Sequence, residues 1–205
     1  GQELLSSIWH GTFHAISAFN NGGFSLYTDS MVGFNQDMFF IAPVMLAVIV
    51  GGLGFPVLIE LHERLWRLRL RPGGKAKRFS LHTRLTLWMT GALLILGALF
   101  IGLMEWNNPG TLGALSTWDK LVNTMFASVM PRSGGLNSLD ISLMDPATWL
   151  GMDLLMFIGG GSASTAGGIK VTTIAVLIFI IYTEIRGETA VNVGNRRLPR
   201  SIQRQ

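Results

Sequence analysis

The sequence predicts an all-α membrane protein, built from tandem repeats that each contain a helix, a short helix, a glycine loop and a second helix. Hydrophobic residues make up 49% of the 205 residues and charged residues only 14%, which is a poor composition for a soluble surface. The apolar residues form long blocks, and two glycine pairs each follow a short apolar segment. No cysteine is present, so disulfides and thiolate metal sites are excluded.

Two uncharged blocks, residues 38–58 and 85–104, are long enough to cross a bilayer as helices, since a crossing takes about 20 apolar residues. A third block, residues 147–182, also has the necessary length. Glycines interrupt it, and its only charges are Asp153 and Lys170. We therefore expect three crossings, the last of them broken.

The basic residues indicate the orientation of these crossings. Eight of the sixteen lie within residues 64–84 and five within 186–204. Basic loops next to membrane helices stay on the cytoplasmic side, so this clustering predicts a multi-pass protein with basic loops inside and argues against a nucleic-acid partner. The first residues do not resemble a signal peptide, and we expect the chain to be an internal fragment.

Two further apolar segments, residues 6–19 and 118–130, are too short to cross and are typical of re-entrant helices. The pairs Gly22-Gly23 and Gly134-Gly135 follow them. Each pair also precedes a polar stretch and a long apolar block, which indicates an internal repeat. Four positions are identical at a spacing of 112 residues: Thr12 and Thr124, Ala15 and Ala127, Gly22 and Gly134, Gly23 and Gly135.

A re-entrant helix that stops within the membrane places partial negative charge at its C-terminal end. The extended backbone that follows can turn its carbonyl groups toward a cation, and glycine permits the required conformations. The alternative is a tight turn in an external loop. The two glycine segments, called hairpins below, therefore predict a cation filter. The first hairpin is Asn21, Gly22, Gly23 and Phe24, and the second is Ser133, Gly134, Gly135 and Leu136.

Within the third crossing, residues 159–168 read GGGSASTAGG, with no side chain larger than threonine. Such a run breaks a helix. Close packing of membrane helices is the alternative explanation. A phosphate-binding loop is excluded because Ile169 separates the glycines from Lys170, and Val171 stands where that motif requires serine or threonine.

Enzymatic sites are not favoured. His10 and His14 have the spacing of a zinc protease helix, but Gly11 stands where the general base is required. The segment Pro131-Arg132-Ser133-Gly134 lacks the first glycine of a serine nucleophile turn. Among the acids near the crossings, we expect Glu60 and Glu63 to pair with Arg64 or Arg67 on a helix surface, and Asp153 to make a polar contact in an outer vestibule.

Five segments then carry a family resemblance: residues 14–26 (HAISAFNNGGFSL), 51–58 (GGLGFPVL), 128–138 (SVMPRSGGLNS), 159–173 (GGGSASTAGGIKVTT) and 191–199 (VNVGNRRLP). They closely resemble the membrane subunit of bacterial Trk/Ktr/HKT potassium transporters, the Ktr type most of all. The segments occur in the family's order. The family's usual filter sequences are Asn-Asn-Ala-Gly-Phe and Arg-Thr-Ala-Gly-Leu. This chain differs from them only at Gly22, Ser133 and Gly134.

The resemblance implies a potassium-channel-like pore in which one polypeptide supplies four repeats of helix, pore helix, filter loop and helix. Residues 1–67 would carry the pore helix, filter and inner helix of the second repeat, and residues 68–84 a cytoplasmic linker. Residues 85–185 would form the third repeat, and residues 186–205 a linker toward the fourth. Sodium-selective or non-selective cation transport is the alternative function, and a non-conducting scaffold or membrane hydrolase a remote one.

Further roles follow from the resemblance. The function would be potassium uptake across the plasma membrane, either passive or coupled to sodium. Potassium would be the transported substrate, and no cofactor would bind this chain. The expected partners are the lipid bilayer of a bacterial plasma membrane, a second copy in a homodimer, and a cytoplasmic nucleotide-binding regulatory subunit facing the basic segments. We assign filter support to Asn20, Arg132 and Asn137. The expected gating loop contains Gly159, Gly160, Gly161, Ser162, Ala163, Ser164, Thr165, Ala166, Gly167, Gly168 and Lys170.

Overall fold

A computed structural model describes residues 2–70, 79–186, 191–193 and 196–198. These ranges contain seven α-helices and one antiparallel pair of short strands, in which Val191 lies opposite Leu198. The elements are α1 Gln2–Phe19, α2 Met38–Leu53, α3 Phe55–Leu70, α4 Leu81–Glu105, α5 Thr117–Val129, α6 Pro146–Phe157, α7 Val171–Ile185, β1 Val191–Val193 and β2 Arg196–Leu198.

The two short helices of the prediction are α1 and α5. Helix α1 begins earlier than expected but ends at Phe19 as predicted, because Asn21 adopts a left-handed conformation with φ of 52°. Helix α5 begins where the Ser116 hydroxyl accepts a hydrogen bond from the Asp119 amide. Both helices lie against α2, so the two predicted re-entrant segments share one neighbour.

The crossing expected over residues 38–58 is not one helix but two, which together pass as a bent span. Helices α2 and α3 meet at Gly54 with a bend of 107°. Gly54 has φ of +93°, which strains any residue with a side chain, and a methyl group there would collide with the Ser162 carbonyl oxygen. The bend therefore follows from a backbone contact with residue 162, which is distant in sequence.

Helix α4 contains the whole of the second predicted crossing, residues 85–104. Within the described ranges it is the one helix that alone has the length and hydropathy of a membrane span, and α2 with α3 qualifies if counted as one bent span. The third predicted crossing consists of α6, irregular residues 158–170 and α7. The predicted interruption is confirmed.

The main hydrophobic core joins the two predicted repeats. Fully buried Ile41 of α2 and Phe126 of α5 belong to one cluster, together with Ala18 of α1 and Leu136 of the second glycine hairpin. A second cluster includes Ile101 and Met152 and holds α4 against α6. Both hairpins are thus attached to the same core, which fixes their relative position.

The expected cytoplasmic linker, residues 68–84, is described only in part, since residues 71–78 lie outside the described ranges. Of the acids expected to pair on the helix surface, Glu63 lies 3.8 Å from Arg67, which confirms that pair. Glu60 accepts hydrogen bonds from the Ser80 amide at 2.6 Å and the Ser80 hydroxyl at 2.8 Å. This carboxylate therefore ties α3 to the start of α4.

One buried carboxylate organises the far end of α4. Glu105 has no exposed surface, and its two oxygens accept hydrogen bonds from Thr148 Oγ1 at 2.5 Å, Thr111 Oγ1 at 2.7 Å, Asn108 Nδ2 at 2.7 Å and the Asp145 amide at 2.9 Å. A buried carboxylate is stable only when donors of this kind replace water. Glu105 thereby holds the loop after α4 and the start of α6 together.

We expect Glu105→Gln to lower the thermal unfolding midpoint of the purified protein in detergent by roughly 5 °C, measured by tryptophan fluorescence. The amide oxygen cannot accept all four hydrogen bonds, and the amide nitrogen would face other donors. The matched control is Glu184→Gln, which changes an exposed residue near the end of α7. Equal shifts in the two variants would show that Glu105 does not hold this end of the protein.

Candidate functional site

The two predicted filter hairpins meet at their equivalent second glycines. Gly23 has φ of +70° and Gly135 has φ of +69°. A methyl group built on Gly23 would lie 3.0 Å from the Gly135 Cα atom, and one built on Gly135 would lie 2.8 Å from the Gly23 Cα atom. Glycine is required at both positions for two reasons, the left-handed backbone and the close approach of the two chains.

The first hairpin turns directly off the end of α1. The amide of Gly22 donates to the Ser17 carbonyl at 2.8 Å, and the amide of Asn21 donates to the Ala18 carbonyl at 3.1 Å. The Phe19 carbonyl accepts a hydrogen bond from the Thr165 hydroxyl at 3.2 Å. The last carbonyl groups of α1 therefore have protein donors, whereas the sequence argument expected them to face a cation.

Two side chains of α1 hold the irregular segment that follows this hairpin. Ser17 Oγ accepts a hydrogen bond from the Phe24 amide at 2.9 Å and donates to the Phe24 carbonyl at 2.8 Å. His14 Nε2 lies 3.3 Å from the Leu26 amide and His14 Nδ1 lies 2.8 Å from the His10 carbonyl. These partners assign a neutral ring with the proton on Nδ1. Both side chains are buried.

The sequence offered His14 only as part of a zinc spacing that was not favoured, and it predicted no role for Ser17. The available signal was their spacing of three residues, which places both on one face of α1. The Tyr27 ring stacks on the His14 ring, with 5.0 Å between the ring centroids, and its hydroxyl lies 3.0 Å from His10 Nδ1. Polar residues on this face of α1 therefore position the hairpin.

The second hairpin begins within a π turn, Met130–Gly134. In this turn the Gly135 amide donates to the Met130 carbonyl at 3.0 Å. Ser133 has φ of 81°. The Arg132 side chain is 7% exposed, and its Nη2 donates to the Gly159 carbonyl at 3.1 Å. The partner of Arg132, which the sequence could not identify, is thus a backbone group of the predicted gating loop.

Several carbonyl groups of the hairpins accept no hydrogen bond from the described part of the chain. Within the described ranges, no hydrogen bond reaches the carbonyl oxygens of Gly22 and Gly23, or those of Gly134 and Gly135. The two hairpins differ at the residue that follows each glycine pair. Phe24 is 69% exposed, whereas Leu136 is 3% exposed in the main core, so these two predicted filter residues differ in surroundings.

The other two predicted support residues have different positions. The Asn20 side chain is exposed and donates to the Ile16 carbonyl of its own helix at 2.9 Å. The backbone carbonyl of Asn137 accepts a hydrogen bond from the Met31 amide at 2.9 Å, and the backbone amide of Asn137 donates to Ser30 Oγ at 3.1 Å. Asn137 therefore links the second hairpin to the loop after the first, and Asn20 makes no such link among the described residues.

The predicted gating loop contacts both hairpins. The Asn21 side-chain amide donates to Thr165 Oγ1 at 2.5 Å in the first hairpin, and the Gly167 amide donates to Ser133 Oγ at 2.9 Å in the second. With the bond from Arg132 to Gly159, three residues of the loop are bound to hairpin side chains. The loop thus lies directly next to the two hairpins.

The same loop also fills the bend between α2 and α3. The Gly161 amide donates to the Gly52 carbonyl at 2.8 Å, and the Phe55 amide donates to the Ala163 carbonyl at 3.1 Å. The Thr165 amide donates to the Gly51 carbonyl at 3.3 Å. The broken helices of the two repeats therefore supply hydrogen-bond partners to each other.

The remaining polar residues of the loop have different surroundings. Lys170 Nζ donates to the Ala166 carbonyl at 2.6 Å, and the Ser162 and Thr172 hydroxyls lie 3.0 Å apart. Ser164 Oγ is buried and has no partner in the described part of the chain. Gly168 is exposed and has φ of +72°. Asp153 is exposed on α6, and its predicted vestibule contact stays a prediction.

The TrkH family, described as a cation transport protein, matches residues 2–205 of this chain. The Ktr system potassium uptake protein B of Bacillus subtilis is 40% identical over 193 residues, which are 94% of this chain and 41% of that protein. The potassium/sodium uptake protein NtpJ of Enterococcus hirae is 36% identical over 191 residues, 93% of this chain and 40% of that protein.

The chain thus spans about 40% of the length of these relatives. Among solved structures, the potassium transporter TrkH from Vibrio parahaemolyticus superposes with a TM-score of 0.68 at 19% identity. The superposition covers 91% of this chain and 38% of that structure's chain. The likeness confirms the predicted fold class, an all-α membrane protein of pore-helix repeats, and the short β1–β2 pair lies beyond the last helix.

We expect Ser17→Ala to speed hydrogen exchange of the Phe24 amide at least about tenfold in the purified protein, because each 1.4 kcal/mol of lost protection is a factor of ten. The measurement is exchange mass spectrometry on peptides covering residues 20–26. Ser7→Ala is the matched control, since Ser7 lies on an exposed part of α1 and, among the described residues, its hydroxyl bonds only to Glu3 of its own helix. Equal exchange in the two variants would refute the role of Ser17.

Proposed function

We propose that this chain, which belongs to the TrkH family of cation transport proteins, forms the second and third of four repeats around a potassium-conducting pore. The family consists of transporters and not of enzymes, as the sequence indicated. The observation that carries the proposal is the meeting of Gly23 and Gly135 with unbound carbonyl groups beside them. Two further hairpins of this kind would complete a ring of carbonyl oxygens.

In this proposal the hairpin carbonyls, and not the ends of the pore helices, contact the ion. Potassium must lose most of its water to pass a narrow site, and backbone carbonyl oxygens can replace that water. Ser17 and His14 would fix the first hairpin from behind, and the core contact of Leu136 would fix the second. The filter residues would be Asn21, Gly22, Gly23 and Phe24 with Ser133, Gly134, Gly135 and Leu136.

Residues 159–170 are proposed as the gate. Their contacts to Asn21, Ser133 and Arg132 place an irregular, glycine-rich segment beside the filter. Such a segment can shift without unfolding a helix, because α6 ends before it and α7 begins after it. Lys170, bound to the Ala166 carbonyl, would stabilise the closed arrangement of the loop.

The wider assignments are also proposals. Residues 1–67 and 85–185 would be the two repeats, with residues 68–84 and 186–205 as cytoplasmic linkers in a bacterial plasma membrane. The name of the Ktr system relatives indicates a system of more than one component. We propose a second copy of the chain and a cytoplasmic nucleotide-binding subunit at the basic linkers as the partners. Because one relative is named a potassium/sodium uptake protein, sodium transport is the second candidate. Reversal potentials in mixed potassium and sodium would separate the two ions.

We expect Gly23→Ala and Gly135→Ala each to reduce potassium uptake by the complete protein at least about tenfold in a potassium-auxotrophic bacterium. Each change places a methyl group against the opposite hairpin and forces alanine into a left-handed conformation that costs roughly 1–2 kcal/mol. The control is Gly91→Ala, because a methyl group at this position of α4 has no neighbour within 4 Å. Normal uptake and normal selectivity in both filter variants would exclude these hairpins as the filter.

For the gate, we expect the double variant Ser133→Ala and Thr165→Val to raise the uptake rate roughly fivefold without changing the preference for potassium over sodium. The two changes remove two of the three side-chain hydrogen bonds that attach the loop to the hairpins, leaving the one from Arg132 to Gly159, and so favour the open position of the loop. Thr173→Val is the control, since Thr173 is exposed on α7. An unchanged rate, or a loss of selectivity at an unchanged rate, would count against the gating role.

A further inference from the structure

A small cavity lies behind the second hairpin, between α2 and α4. Its volume is about 20 Å³, and its walls include Val48 and Gly52 of α2, Thr90 and Leu94 of α4, Arg132 of the hairpin and Gly160 of the loop. It therefore adjoins the contact between the hairpin and the loop. One water molecule needs roughly 10–15 Å³ of such space.

Three residues that line this cavity carry polar groups without a hydrogen-bond partner among the described residues. Arg132 Nε and Thr90 Oγ1 are buried and make no hydrogen bond within the described part of the chain. The amide of Gly160 likewise donates none among the described residues. Thr90 is 8% exposed and Arg132 is 7% exposed, so bulk water does not satisfy either side chain.

Leaving these groups unsatisfied would be costly, and most so for the charged guanidinium. Thr90 and Arg132 lie on different elements, and Gly160 lies on a third, so one bound molecule could connect all three. A buried water commonly makes two to four hydrogen bonds to such groups. The remaining wall residues, such as Val48 and Leu94, offer only apolar side chains.

We propose that this cavity binds one internal water molecule, which accepts hydrogen bonds from Arg132 Nε and the Gly160 amide and donates one to Thr90 Oγ1. The water fixes the plane of the guanidinium so that Nη2 faces the Gly159 carbonyl. Thr90 is thereby a positioning residue for the contact between the hairpin and the loop. Its effect on transport rests on the function proposed above, whereas the water site itself does not.

The chain offers a close control for Thr90. Thr86 lies one helical turn earlier on α4, is also buried, and also has a hydroxyl without a partner among the described residues. It does not belong to the wall of this cavity. Thr90→Val and Thr86→Val therefore make the same change of shape and polarity, and only the first removes a partner of the proposed water.

The first test is the density of the complete protein at a resolution that shows ordered water. We expect a peak within hydrogen-bond distance of Arg132 Nε, Thr90 Oγ1 and the Gly160 amide, retained in Thr86→Val and lost in Thr90→Val. The absence of a peak in the unchanged protein, or its persistence in Thr90→Val, would overturn the site. Crystals grown in bromide test for an anion, and an anomalous peak there would also overturn it.

The second test measures potassium uptake. We expect Thr90→Val to raise the uptake rate roughly threefold by weakening the attachment of the loop, while Thr86→Val and Thr90→Ser, which keeps the hydroxyl, stay near the unchanged protein. Equal rates in Thr90→Val and Thr86→Val would overturn the positioning role. If the complete protein transports no potassium, the proposed function fails, and the density experiment still decides the water site.

Discussion

The structure depends on one constraint: backbone that leaves a helix inside a membrane must find its hydrogen bonds within the protein. Two helices break here, one at Gly54 and one over residues 158–170. Each break supplies what the other lacks, since the Gly52 carbonyl receives the Gly161 amide and the Ala163 carbonyl receives the Phe55 amide. Neither repeat would satisfy its backbone alone, and this mutual requirement places the loop beside both hairpins.

The same constraint explains why the loop contains only small residues. A methyl group on Gly160 would lie 2.7 Å from the Ala166 side chain, and one on Gly161 would lie 2.9 Å from the Thr86 side chain. At Gly159 it would collide with the Gly167 carbonyl oxygen. Close packing, the alternative to a gate in the sequence argument, is therefore a real property of this run. The two explanations are compatible, because a segment that packs through its backbone can also move as a segment.

Composition and spacing predicted the parts of the fold that depend on local sequence. The glycine pairs, helices α1 and α5, span α4 and the interruption after α6 all follow from runs of small or apolar residues. The bend at Gly54 was missed because residues 38–58 are uniformly apolar, and its cause is a contact with residue 162. The roles of Ser17 and Arg132 also required tertiary contacts. The internal repeat could not indicate the role of Ser17, since Val129 stands at the equivalent position.

The two breaks differ in what their movement would cost. The break between α2 and α3 is a single residue, Gly54, and straightening it would require rotation of the whole of α3. The break between α6 and α7 is an irregular segment whose contacts to the hairpins come from Asn21, Arg132 and Ser133. If this segment withdraws, the carbonyl groups of Gly51 and Gly52 lose their partners, and in the proposed pore water would replace them. Exchange of a protein donor for water costs only about 1 kcal/mol per hydrogen bond, so in a pore of the proposed kind this segment would be the more mobile of the two breaks.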